Sequence, residues 1–110
     1  LPFNPLRDAI FTKNGKYKIL VFSAQACFLC RQFQKPETKK FMSKKSNMAL
    51  ADVFELAMED HYAEEFFTRY GIYKLPAVII MDSGKVLFQL EGVVGAETME
   101  QIIKDSIASK

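Results

Sequence analysis

Tyr17-Lys18-Ile19-Leu20-Val21-Phe22-Ser23-Ala24-Gln25-Ala26-Cys27-Phe28-Leu29-Cys30 is the stretch that decides how this sequence folds. Ile19 to Phe22 is apolar without alternation, the pattern of a strand covered on both faces, and predicts a central strand of a parallel or mixed sheet over Lys18 to Ser23. Both cysteines of the chain follow it, three positions apart. Two thiols at that spacing, where a buried strand gives way to a helix, can close into a small disulfide ring and reopen, which is redox chemistry.

Upstream of the strand, Asn4-Pro5 has the form of a helix start, a capping side chain followed by a proline in the first turn. Leu6, Ala9 and Ile10 share one face of that helix, and Asn14-Gly15 ends it. Downstream, Cys30 and Phe33 among polar Arg31, Gln32, Gln34 and Lys35 predict an amphipathic helix that is interrupted or restarted at Pro36, with Pro36-Glu37-Thr38 the expected break. Met48 to Phe54 is a candidate second strand, although helix and strand patterns compete there. From Asp60, residues Tyr62, Ala63, Phe66, Phe67 and Tyr70 recur at helical spacing and are expected in the core, with Gly71 closing the helix. Ala77 to Met81, the Asp82-Ser83-Gly84 turn and Val86 to Leu90 predict a hairpin. Past Gly95, Met99, Ile102, Ile103 and Ile107 mark a last amphipathic helix.

Length and composition set the frame. A chain of 110 residues, 49% hydrophobic and 13% aromatic, fits one domain over residues 1–110 with enough apolar surface for a core. A formal charge of +2 gives no ground for a nucleic-acid partner, and no apolar run is long enough for membrane insertion. The lysines between residues 39 and 45 and the acids between 52 and 65 are expected to be solvated faces. Because the chain begins at Leu1, removal of an upstream segment is expected.

Several features together resemble the thioredoxin family: the strand leading into Cys27-Phe28-Leu29-Cys30, Tyr70-Gly71-Ile72 followed by Leu75-Pro76 and a strand, the Ser83-Gly84-Lys85 turn, and the closing helix. More narrowly, Gly15-Lys16, Cys30-Arg31-Gln32-Phe33 and Gly92-Val93-Val94-Gly95-Ala96-Glu97-Thr98 are similar to the thioredoxin-like domain of membrane thiol:disulfide interchange proteins and their periplasmic relatives. The resemblance implies an α/β thioredoxin-like fold, a central mixed four-stranded sheet flanked by helices. It implies a thiol-disulfide oxidoreductase without a cofactor, acting on protein disulfides or dithiols with a membrane-bound or soluble redox partner, in the periplasm or another extracytoplasmic space. It also implies that Pro76 is cis and lies opposite the cysteine pair, and that Ala26, Phe28, Leu29, Leu75 and Pro76 meet the substrate.

Thiol chemistry assigns the roles. Cys27, at a helix start, faces unpaired N–H groups that favour its thiolate, so it is the expected nucleophile. Cys30, one turn further in, is the expected resolving thiol. Where thioredoxin has a tryptophan and Gly-Pro, this sequence has Ala26 and Phe28-Leu29; the latter pair either forms an apolar docking surface or closes the helix start onto the core. Where the family has a buried acid, six positions before the first cysteine, stands Val21. Valine accepts no proton, so a slow Cys30 is expected. The rival function is a soft-metal module, the dithiol holding Cu(I) for delivery. A zinc site lacks ligands, since the one histidine, His61, is far along the chain and reads as a surface residue.

Overall fold

The computed structural model describes residues 2–110. Four strands, β1 (Tyr17–Ser23), β2 (Ala51–Ala57), β3 (Ala77–Asp82) and β4 (Lys85–Glu91), form one mixed sheet in the order β2-β1-β3-β4. β1 runs parallel to β2 and antiparallel to β3, which pairs antiparallel with β4. The two central strands are therefore the two unbroken apolar runs of the sequence, and both are buried along nearly their whole length.

Helices cover both faces, as continuous apolar strands require. On one face Ile19, Val21, Val78 and Ile80 pack against Phe41 of α2 (Lys35–Met42) and against Met99 and Ile103 of α5 (Ala96–Ala108). On the other, Leu20, Phe22 and Ile79 pack against Ile10 of α1 (Pro5–Ile10) and Phe66 of α4 (Glu64–Arg69). The short α3 (Lys45–Leu50) lies between α2 and β2. This is the expected α/β thioredoxin-like architecture with a mixed four-stranded sheet. Among the described residues no helix is long and apolar enough to cross a membrane.

Local chemistry explains the element ends. Asn4 caps α1 by accepting from the N–H groups of Leu6 and Arg7, while its amide donates to the Tyr62 carbonyl and to Glu65, tying α1 to α4. Asp60 caps the 3₁₀ turn His61–Ala63 that leads into α4. Ser83 and Gly84 both have positive φ, 51° and 81°, the pair of conformations that matches a two-residue hairpin to the twist of its strands.

The structure corrects four expectations. Pro36 does not break its helix. From Cys30 to Gln34 the chain makes a wider π turn, in which the Lys35 N–H reaches back to the Cys30 carbonyl. The wide turn makes room for a ring that would otherwise strike the preceding turn, and proline's missing N–H falls where the bonding pattern changes. The second strand starts at Ala51, not Met48, because residues 48–50 complete α3. Its register is set at the far end, where Lys18 and Asp52 are direct partners across β1 and β2. The buried Lys18 ammonium meets the Asp52 carboxylate at 2.7 Å and the Asn14 side-chain oxygen at 3.0 Å. Tyr62 is exposed rather than core, as is Ile107 near the end of α5, whereas Phe66 is fully buried.

Candidate active site

The sheet topology brings four chain segments to one edge. β1 ends at Ser23, β2 at Ala57 and β4 at Glu91, while β3 begins at Ala77; Phe22 pairs with Ala77, and Ala77 with Glu91. The loop holding Cys27, the residues around Glu59, the Leu75-Pro76 peptide and the 92–95 loop therefore share one end of the molecule.

After β1, the Cys27 N–H bonds to the Ala24 carbonyl at 3.1 Å and the chain turns into a helix at Phe28. Gln25 is gripped on both sides of its backbone: its N–H donates to the Glu59 carboxylate at 3.2 Å, and the Arg31 guanidinium donates to its carbonyl. These bonds fix the loop that presents Cys27. Cys27 and Cys30 form a disulfide, with Cα atoms 5.3 Å apart. The Cys27 sulfur accepts from the Cys30 backbone N–H at 3.1 Å, so a first-turn donor points directly at it. Cys27 is half-buried, whereas Cys30 is 4% exposed. Only the first sulfur is open to a partner, and an N–H stabilises negative charge on it.

The residues named from the sequence separate into a surface and a support. Ala26 is exposed, as are Phe28 (57%), Leu29 (47%) and Phe33 (53%), and the rings of Phe28 and Phe33 meet edge-on at 6.2 Å. Phe28 and Leu29 thus do not close the helix onto the core; with Phe33 they form an apolar patch beside the dithiol. The Leu75–Pro76 bond is cis, Leu75 is half-buried and Pro76 buried, and the Pro76 carbonyl accepts from the Gly92 N–H at 2.6 Å. Among the described residues no group of three or more His, Cys, Asp or Glu side chains converges on a metal position, and His61 is exposed beside Tyr62.

Several site residues escaped sequence reading. Gln34, fully buried, pairs with both backbone groups of Val94, and its amide also donates to Thr38. Glu37 accepts from the Ala96 N–H at 2.9 Å, capping α5 where Gly95 has no side chain to do so. Gln34, just before the expected break, and Glu37, within it, thus carry the 92–96 loop. A polar pair where an apolar stripe continues from Cys30 toward Phe41 was the available signal. Under Cys30 lies a cavity of about 360 Å³. Its floor is Val21 and Ser23 of β1 with Glu55 and Ala57 of β2; its roof includes Arg31, Gln34 and Lys35.

Sequence comparison matches residues 7–107 to a family described as "Thioredoxin-like domain". No curated protein matches the chain. Among solved structures, chloroplastic thioredoxin z is similar with a TM-score of 0.76 and 20% identity, covering 94% of this chain and 88% of that one. Thioredoxin-2, described as a component of malaria parasite protein secretion machinery, gives 0.74 and 17%, covering 86% of each chain. A structure described only as a malarial protein gives 0.71 and 19%, covering 82% of this chain and 96% of that one. At these identities the likeness shows the fold. The family match, together with the Cys27–Cys30 disulfide, points to a redox-active thiol-disulfide function.

Proposed function

Since the chain belongs to the thioredoxin-like family, we propose that it exchanges disulfides with protein substrates, with Cys27 as nucleophile and Cys30 as resolving thiol. The observation that carries this reading is the asymmetry of the pair: an accessible sulfur that accepts an N–H, and a buried one behind it. In the reducing direction, the Cys27 thiolate attacks a substrate disulfide. A Cys27–substrate bond forms, the substrate S–S bond breaks, and the leaving thiolate takes a proton from water. Cys30, deprotonated, then attacks the Cys27 sulfur, reforming the intramolecular disulfide and releasing the second substrate thiol. The substrate gains two electrons and the dithiol loses two.

The apolar patch of Ala26, Phe28 and Leu29, with Leu75 and Pro76 across the site, supports a polypeptide substrate rather than a small thiol. The narrower resemblance to interchange-protein domains supports an extracytoplasmic setting. The test is trapping. Cys30→Ser should accumulate a mixed disulfide with a disulfide-bonded peptide and Cys27→Ser should not; the reverse pattern would end the assignment. Tight Cu(I) binding by the reduced protein, without any mixed disulfide from Cys30→Ser, would favour metal delivery instead.

A further inference from the structure

Cys30 must lose a proton before it can attack, and Val21, the buried β1 residue that lines the cavity beneath it, cannot take it. We infer that Glu55 takes it, through water in the cavity beneath Cys30. This rests on the exchange reaction proposed above.

The placement follows from sheet register. Val21 and Glu55 are direct partners across the parallel β1–β2 pair, and neighbours in register project their side chains from the same face of a sheet. That face is the one on which Val21 packs under the helix carrying Cys30. Glu55 therefore lines the same cavity as Cys30, one strand over from the valine. At about 360 Å³ the space has room for several waters, and its carboxylate, sulfur and Ser23 hydroxyl offer them partners.

The other charged groups around the cavity define what Glu55 alone can do. Glu59 also lines it, but its carboxylate accepts from the Gln25 N–H and holds the nucleophile loop. Arg31 donates to the Gln25 carbonyl. Lys35, on the roof, is the remaining charged group that lines the cavity. Among the described residues Glu55 has no ion-pair or hydrogen-bond partner, and its exposed side returns the proton to solvent. In the resolving step the Cys30 S–H proton passes by water to Glu55, the Cys30 sulfur bonds to Cys27, and the Cys27–substrate bond breaks. The departing substrate thiolate takes a proton from Glu55 or from solvent.

The test is the pH profile of resolution, measured in single turnover from a preformed mixed disulfide between Cys27 and a model peptide. With a proton acceptor in place the parent rate should vary little between about pH 6 and 8. Glu55→Gln should lower it on the order of tenfold to a hundredfold at pH 7. It should also make the rate climb about tenfold per pH unit, following the Cys30 thiolate fraction. Glu55→Asp should keep the flat profile. A purely electrostatic role would act in the opposite direction, because removing a nearby negative charge favours the Cys30 thiolate and speeds the attack. A Glu55→Gln variant that resolves as fast as the parent, or faster, overturns the inference, as does a Glu59→Gln variant that alone reproduces the loss. In those cases exchange by Cys27 and Cys30 stands. A parent that forms no mixed disulfide removes both.

Discussion

The side-chain amide of Gln34 pairs with both backbone polar groups of Val94: its Oε1 accepts from the Val94 N–H at 2.7 Å, and its Nε2 donates to the Val94 carbonyl at 3.1 Å. A helix residue thus supplies what a neighbouring strand would, and it does so one turn beyond Cys30. Gln34→Leu keeps the volume but leaves a buried N–H and C=O unpaired, at about 1–3 kcal/mol for such a group. Urea unfolding should show a loss of roughly 2–4 kcal/mol. Loss below about 0.5 kcal/mol, the scale of an ordinary surface change, would show that the loop repairs itself with water.

Glu37 caps a helix to which it does not belong. Glu37→Ala removes the acceptor for the Ala96 N–H and should cost about 1 kcal/mol, the usual loss for a helix cap. Glu37→Gln keeps an acceptor oxygen and should recover most of that stability. Equal losses in the two variants would assign the effect to charge near the α5 N-terminus rather than to the hydrogen bond.

The apolar patch beside Cys27 should separate substrate binding from thiol chemistry. Phe28→Ser with Phe33→Ser alters exposed side chains, so stability should move by no more than about 0.5 kcal/mol per site. The kcat/KM for a disulfide-bonded peptide should fall by about tenfold as apolar contact is lost. That for oxidised glutathione should stay within about twofold, since chemistry at Cys27 is unchanged. Equal falls for both substrates would place the effect at the thiol.

Acid should loosen the β1–β2 register through Asp52. Burial raises the pKa of its carboxyl, but the Asn14 amide and the Lys18 ammonium, with Lys16 adding charge, outweigh that and hold it below the ordinary carboxylate value. A folded pKa below the unfolded one, near 3.9, means the contribution is fully present above about pH 4 and lost as pH falls through the folded value. Asp52→Asn should destabilise by roughly 2 kcal/mol at pH 7, below the about 3–5 kcal/mol for breaking a fully buried pair because Asp52 keeps a water-facing edge. The gap between parent and variant should close as pH drops below about 4. A constant gap down to pH 2 would show that the pair does not carry the effect.

The sequence by itself determined what depends on neighbours in the chain. The unbroken apolar run of β1 needs cover on both faces, Ser83-Gly84 supplies the positive φ of a tight hairpin, and Cys27 and Cys30 come together because three positions span about one helical turn. The same locality misled at Pro36, since a proline in a helical pattern reads as a break unless the preceding turn widens, and no short-range signal announced the π turn.

Only the tertiary structure decided which distant groups meet. Register places Glu55 beside Val21 and Lys18 beside Asp52, and a slip of one residue would turn each of those side chains to the other face. Helix docking brings Gln34 to Val94 and Glu37 to Ala96. The physical reason is common to the three polar pairs. A buried polar group must be satisfied, but its type does not say by what, and the partner is fixed by packing of elements far apart in the chain. The acid that Val21 lacks in sequence was therefore legible only in space.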